Sequence, residues 1–258
     1  MLNRLADFFA GKRVLILGLG REGRSTLDIL KKIPCTIGIA DRNLAITDDI
    51  KDYELYGGED YLDCLDKFDI IMKSPGIALL DKVSESIKRR ITSQTDLLLR
   101  FCDNTIIGIT GTKGKSTVSS LTCHLLKKCG RSAVLVGNIG IPPLERMEEF
   151  RGETVIVCEM SCHQLEYVQA SPQIAVLLNV FEEHLDHYVD FAAYRAAKEN
   201  IYRFQTESDL LIINKELLGE PVRAEVITAS LTESADICLS GDELRLNGVN
   251  IPFSDIHT

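Results

Sequence analysis

The chain has 258 residues, 45% of them hydrophobic and 26% charged, with a net charge of −9 at pH 7. That length leaves room for about two domains, and that acidity argues against nucleic acid as a partner, because nothing here neutralises a phosphate backbone broadly. No apolar run reaches membrane-spanning length and the first residues lack a signal-peptide pattern, so no membrane association is expected. Eight cysteines, at 35, 64, 102, 123, 129, 158, 162 and 238, include no C-x-x-C pair. Buried thiols in a reducing compartment, rather than disulfides or a zinc site, fit that usage, and the expected location is the cytoplasm.

In chain order, residues 13–18 read as a strand and 24–32 as a helix, joined by Gly18-Leu19-Gly20-Arg21-Glu22-Gly23. A second strand at 35–40 ends in Asp41. G-x-G-x-x-G between strand and helix, with an acid closing the next strand, is the context of a dinucleotide fingerprint: phosphate at the helix N-terminus, ribose on the acid. The same loop could hold any nucleotide diphosphate, or serve only close packing of helix on strand. Short strands at 53–56 and 69–73 follow. Ser74-Pro75-Gly76-Ile77 then turns at a strand's C-terminal end, where open α/β sheets bind ligands. A helix is expected at 81–90, its Lys88-Arg89-Arg90 complementing the helix dipole. The passage between domains lies near 91–104, giving domains of 1–93 and 94–258.

The second domain opens on an apolar strand at 105–109, which breaks into Gly111-Thr112-Lys113-Gly114-Lys115-Ser116-Thr117. A helix at 116–128 follows, with Val118, Leu121, Leu125 and Leu126 on one face. Strand, glycine loop, Gly-Lys-Ser and helix cradle a phosphate: backbone N–H groups wrap the anion, Lys115 neutralises it, and the Ser116 hydroxyl is placed for Mg²⁺. Ile stands at 109 where the strict spacing wants glycine, so the fit is to a variant with glycines at 108, 111 and 114. ATP is the expected ligand, with Lys115 exposed in the loop. A strand at 133–136 leads to Gly137-Asn138-Ile139-Gly140, and Pro142-Pro143 starts a short helix.

The strand at 154–160 carries one carboxylate, Glu159, at its end. A buried acid has to be paired or metal-bound, so Glu159 is a candidate for Mg²⁺, the alternative being a strand-end acid in solvent. After a strand at 173–180 comes Glu182-Glu183-His184-Leu185-Asp186-His187, whose carboxylates suit Mg²⁺ better than Zn²⁺. Whether His184 is a ligand or faces solvent stays open here. A helix at 194–204 places Lys198 beside Ala196 and Ala197, on a close-packed face where a free ammonium is costly. Beyond a strand at 209–214 the texture changes to short strands at 225–228, 236–239 and 243–251, the last with an Asn247-Gly248 hairpin turn. The fold class is α/β: a Rossmann-like parallel-sheet domain, then a P-loop ATPase-type α/β domain with a small extra antiparallel sheet. The chain reads as cut off there.

In combination these motifs resemble the Mur ligases. The matching pieces, in family order, are Gly18-Leu-Gly-Arg-Glu-Gly-Arg-Ser, Ser74-Pro-Gly-Ile, Gly108-Ile-Thr-Gly-Thr-Lys-Gly-Lys-Ser-Thr and Gly137-Asn-Ile-Gly. They continue with Glu159-Met-Ser-Cys-His-Gln-Leu-Glu, Asn179-Val-Phe-Glu-Glu-His-Leu-Asp and Tyr194-Arg-Ala-Ala-Lys. Gln164-Leu165-Glu166 and the 74–77 turn favour the member that joins D-glutamate to UDP-N-acetylmuramoyl-L-alanine, while Cys162-His163 departs from the usual Ser-Phe. The resemblance implies a cytoplasmic, monomeric ligase of peptidoglycan precursor synthesis that uses ATP and two Mg²⁺. It implies Lys115, His184 and Lys198 as catalytic residues. Ser116 and Glu159 would hold one ion, and His184 with a carbamylated Lys198 the second. Gly20, Arg21, Glu22, Asp41, Arg42 and Ser74 would take the UDP end of the substrate, and Asn138 and Ser161 would lie nearer the chemistry. The adenine-contacting segment and the amino-acid-binding domain would lie beyond Thr258. Competing readings are another Mur-type or folylpolyglutamate-type ligase, an NAD-dependent oxidoreductase, which leaves the Gly-Lys-Ser loop without a role, and a non-catalytic nucleotide-binding module.

Overall fold

A computed structural model of the chain describes residues 1–252, apart from 80–82, 184–186, 220, 232–233 and 247. The first unit runs α1 (Leu2–Phe9), β1 (Arg13–Leu17), α2 (Arg21–Leu30), β2 (Thr36–Asp41), β3 (Glu54–Gly57), β4 (Ile70–Lys73), α3 (Glu85–Lys88) and β5 (Ile91–Thr92). Its five strands form a parallel sheet in the order β3-β2-β1-β4-β5. The sheet has apolar clusters on both faces, which is why its strands read as continuous apolar runs rather than alternating ones. The opening helix α1 has no counterpart in the sequence reading. Leu5 and Phe9, four residues apart, bury its inner side against Val14, Ile16 and Leu27. The helix expected at 81–90 shrinks to four residues, because Ser84 is extended and its hydroxyl caps the Ile87 N–H; residues 80–82 lie outside the described set.

The second unit follows α4 (Gln94–Phe101) and contains β6 (Ile106–Thr110), α5 (Lys115–Lys128), β7 (Ala133–Gly137), a 3₁₀ helix (Pro143–Glu149), β8 (Val155–Glu159) and α6 (Cys162–Leu165). It continues with β9 (Ile174–Leu177), α7 (Phe191–Arg203), β10 (Leu210–Asn214), β11 (Glu225–Ser230), β12 (Ile237–Ser240), β13 (Glu243–Leu246) and β14 (Val249–Pro252). All nine strands belong to one sheet, ordered β14-β13-β12-β11-β10-β9-β6-β8-β7. Pairing is parallel from β7 through β12, and the antiparallel strands β13 and β14 continue the edge of that same sheet. Gly248, at φ +82°, makes the turn between them.

The inner face of α5 differs from expectation. Leu121 and Leu125 are 54% and 52% exposed, whereas Ser119 and Cys123 are buried, with Val118 and Leu126 packed beside them. The loop before α5 fixes the helix's rotation, and small residues at i, i+4 let it lie close on the sheet. Six of the eight cysteines are buried and all are free; Cys35 is half-buried and Cys129 exposed. Among the described residues no helix is long and apolar enough to cross a membrane.

Between the sheets, α4 gives Leu97 to one core and Leu98 and Leu99 to the other. Its buried polar side chains complete the junction. Gln94 Nε2 lies 3.0 Å from Ser25 Oγ and from Thr26 Oγ1 and 3.1 Å from the Glu22 carbonyl, while Gln94 Oε1 accepts the Leu144 N–H at 3.0 Å. Asp96 accepts the Gln169 N–H at 2.7 Å on one oxygen, and Thr92 Oγ1 and Arg100 on the other. Ser93, where the expected domain division falls, is the N-cap of this helix.

Two glycines of the first loop serve different ends. A Cβ on Gly23 would lie 2.0 Å from the Gly18 carbonyl oxygen, whereas a Cβ on Gly20 would meet nothing within 4 Å. Gly23→Ala is expected to lower the unfolding free energy by about 2 kcal/mol or more, and Gly20→Ala by at most about 1 kcal/mol as a helix-cap effect. Urea denaturation of the two variants checks the contrast.

Candidate active site

The Gly-Lys-Ser loop is shaped by chain far downstream. The Thr112 N–H donates to the Asn179 carbonyl at 2.9 Å, the Lys113 N–H to Asn179 Oδ1 at 2.8 Å, and Asn179 Nδ2 returns a bond to the Lys113 carbonyl at 3.0 Å. The Thr112 hydroxyl accepts the Phe181 N–H and sits 2.9 Å from the Tyr194 hydroxyl. Gly114, at φ +84°, then turns the chain into α5, a conformation that glycine adopts without a steric penalty. Lys115 is the first residue of α5 and is half-buried, not exposed as expected. Its Nζ donates to the carbonyls of Gly111 and Thr112 at 2.9 and 3.0 Å. Lys113 is exposed and pairs with Glu183 at 2.6 Å; Ser116 and Thr117 are exposed on the first turn of the helix.

Lys198 reaches the same loop from α7. It is 1% exposed, donates to the Gly111 carbonyl at 2.9 Å and lies 4.8 Å above the Tyr194 ring. Burial pulls its ammonium down to about 8, with Lys115 pulling in the same direction and Cys162 and Glu183 opposing. Glu159, 1% exposed at the end of β8, accepts Asn138 Nδ2 on one oxygen at 2.9 Å. Its other oxygen has no hydrogen-bond partner among the described residues. The carboxylate is therefore not a strand-end acid in solvent. A buried oxygen with its lone pairs unspent is the donor a hard divalent cation takes, so the residues fit Mg²⁺. The expectation for His184 falls outside the described residues.

On the first sheet, the expected contacts are mostly tied to the protein itself. Asp41 accepts the Leu19 N–H at 2.7 Å and the Asn43 N–H at 2.9 Å, so this acid shapes the glycine loop. Exposed Arg42 pairs with Glu59 at 2.6 Å, and Ser74 Oγ donates to the Gly18 carbonyl at 2.9 Å. Arg21 reaches across to Glu145 at 3.4 Å and approaches Gly140, which brings α2 up to the turn that holds Asn138. Ser161 caps α6 in a reciprocal capping box with Gln164. Glu22 is half-buried; burial raises its carboxyl to about 7 against the opposing effects of a hydrogen bond at Gln94 and the Lys73 charge.

Sequence reading missed Asn179 and Tyr194 as organisers. An Asn closing an apolar strand, and Tyr194 one helical turn before Lys198, were the available signals.

Residues 109–253 match the family described as the Mur ligase middle domain. A curated relative from Clostridium botulinum (strain Langeland), named UDP-N-acetylmuramoylalanine--D-glutamate ligase, is 31% identical over 269 residues, covering 96% of this chain and 58% of its own length. One of the same name from Clostridium kluyveri is 33% identical over 267 residues, covering 92% and 57%. The chain thus spans under two thirds of the curated relatives it matches. Among solved structures, the UDP-N-acetylmuramate:L-alanyl-gamma-D-glutamyl-meso-diaminopimelate ligase of Neisseria meningitides shares the fold at TM-score 0.55 and 18% identity, covering 93% of this chain and 86% of that one. MurF ligase of Thermotoga maritima, solved in complex with ADP, does so at TM-score 0.50 and 19% identity, covering 95% and 56%.

The raised carboxyl gives a pH signature. A Glu22 lifted from 4.5 to about 7 on folding stabilises the fold fully below about pH 4.5, and that contribution is lost as the pH rises through about 7. Thermal unfolding between pH 4 and 8 should show that decline, and Glu22→Gln should flatten it.

Proposed function

We infer the activity of this chain from its family, since it belongs to the Mur ligases, and we propose that it adds D-glutamate to UDP-N-acetylmuramoyl-L-alanine at the expense of ATP. The convergence of Lys115 and Lys198 on the Gly111 carbonyl, in the same sheet end as the buried Glu159, carries this reading. A carboxylate is a poor electrophile, so amide formation first needs its oxygen phosphorylated. The alanyl carboxylate takes the γ-phosphoryl group, ADP leaves, and the amino group of D-glutamate then displaces phosphate from the acyl phosphate. Bringing a carboxylate against a triphosphate opposes anion repulsion, which Lys115, fixed at the start of α5, offsets most where charge develops.

Ser116 and Glu159 would hold one Mg²⁺ and His184 and Lys198 a second; bound there, the ions add positive field between the two anions. At a pKa of about 8 the neutral amine of Lys198 is roughly a few hundredfold more abundant than in an ordinary lysine. That neutral amine attacks CO₂ and sheds one proton, turning a costly buried cation into an anionic metal ligand. The glycine loop at Gly20, with Arg21, Glu22, Asp41, Arg42 and Ser74, would seat the UDP end, and Asn138 and Ser161 the portion nearer the chemistry. The chain would work in the cytoplasm, as a monomer, with neither nucleic acid nor membrane as partner.

Isothermal titration is the direct test. UDP-N-acetylmuramoyl-L-alanine and Mg·ATP should each bind, and NAD should not; tight NAD binding with no UDP-ligand affinity would reverse the reading. Lys115→Ala should weaken Mg·ATP binding at least about tenfold while the chain stays folded by circular dichroism. In ¹³C-bicarbonate with Mg·ATP, a carbamate carbonyl resonance should appear in the parent and be lost in Lys198→Ala. Identical spectra would leave Lys198 a packed helix lysine.

A further inference from the structure

A chain of buried charge crosses from the first sheet to the second and belongs to none of the sites above. Lys73, the last residue of β4, has its side chain 2% exposed and its Nζ 3.5 Å from Glu166 Oε2. The same oxygen lies 3.3 Å from His187 Nε2, so one carboxylate atom serves two donors from different parts of the fold. Glu166 is 19% and His187 10% exposed by side chain. The Tyr167 ring lies 5.4 Å from the Lys73 ammonium, and the His187 and His163 rings are 4.1 Å apart.

Each member is fastened to a candidate ligand site. Lys73 runs directly into Ser74, whose N–H and hydroxyl are held by the Leu17 and Gly18 carbonyls at 2.8 and 2.9 Å, so Lys73 is tied to the glycine loop. The backbone of Leu165 and Glu166 accepts Asn200 Nδ2, two residues beyond Lys198 on α7. The His187 ring lies 4.9 Å from that of Tyr188, which lies 5.6 Å from the Tyr194 ring, and the Tyr194 hydroxyl is 2.9 Å from Thr112 in the Gly-Lys-Ser loop. Lys73 also feels a second carboxylate, Glu22, at the start of α2. Contacts of 3.3 to 3.5 Å are long for charge-assisted pairs. Breaking the pair outright leaves a buried charge uncompensated.

We propose that Lys73, through Glu166 and His187, is a positioning residue that couples binding on the glycine loop to binding on the Gly-Lys-Ser loop. The proposal rests on the ligase reading only in requiring that both ligands bind. The test measures UDP-N-acetylmuramoyl-L-alanine affinity by isothermal titration with and without saturating Mg²⁺ and a non-hydrolysable ATP analogue. The parent should show at least about fivefold coupling. In Lys73→Met the coupling should fall to within about twofold of none, each ligand alone keeping its affinity within about threefold. Lys73→Arg, which keeps the charge, should restore part of it. Should Lys73→Met not fold, Glu166→Gln keeps the shape of the relay and carries the same expectation. Full coupling in a folded variant, or none in a parent that binds both ligands, overturns the relay alone. A parent that binds neither ligand overturns the ligase reading, and the relay with it.

Discussion

Two ammonium groups donate to one carbonyl oxygen, that of Gly111, each at 2.9 Å. Like charges so placed repel, and the arrangement persists only because each lysine is delivered by a packed element: Lys115 by the first turn of α5, Lys198 by α7. The rest of the second unit serves that delivery. Tyr194 and Lys198, one turn apart on α7, place a hydroxyl on Thr112 and a cation above the Tyr194 ring, while Asn179 clamps the loop backbone from the far side. The negative side of the balance is Glu159, whose unspent oxygen lies at the C-terminal end of the neighbouring strand. As folded, the site sets two buried or half-buried ammonium groups near a carboxylate oxygen that has no hydrogen-bond partner among the described residues.

Under the proposed function one substrate spans both sheets, which could not hold it if they tumbled independently. Apolar contact alone would leave their alignment loosely specified, whereas α4 sets it with Gln94 and Asp96, both fully buried and both bonded on either side of the junction. Buried polar networks are costly unless every member is satisfied, so few relative placements of the sheets meet the condition. Arg21 with Glu145 adds a weaker exposed tie over the same gap.

Much of this was legible in the sequence, for identifiable reasons. Strands of a parallel sheet are apolar on both faces, so β1, β6 and β8 fall within a residue or so of where composition puts them. Glu159 was conspicuous as a lone acid after an apolar run, and Lys198 as a lysine beside small residues; both prove buried. Local periodicity failed where the fold overrides it, as on α5, where Leu121 and Leu125 face outward because the loop dictates the helix's rotation. It also could not see Lys73 and Glu166, which are 93 positions apart, nor Asp41 turning inward onto the Leu19 N–H. A motif names residue types at a spacing; which partner each side chain takes depends on chain that folds in from elsewhere.

The strand order of the large sheet bears on how the chain is made. From β9 to β14 each strand lies beside its predecessor, so that half grows outward in the order of synthesis, α7 intervening between β9 and β10. β6 is different: it lies between β8 and β9, so its second edge stays uncovered until residues 174–177 have emerged. The loop that follows β6 takes its shape from Asn179 and Phe181, which come later still. A nascent chain stalled before that point would present Ile106, Ile107 and Ile109 on an unpaired strand, the kind of edge that recruits other chains.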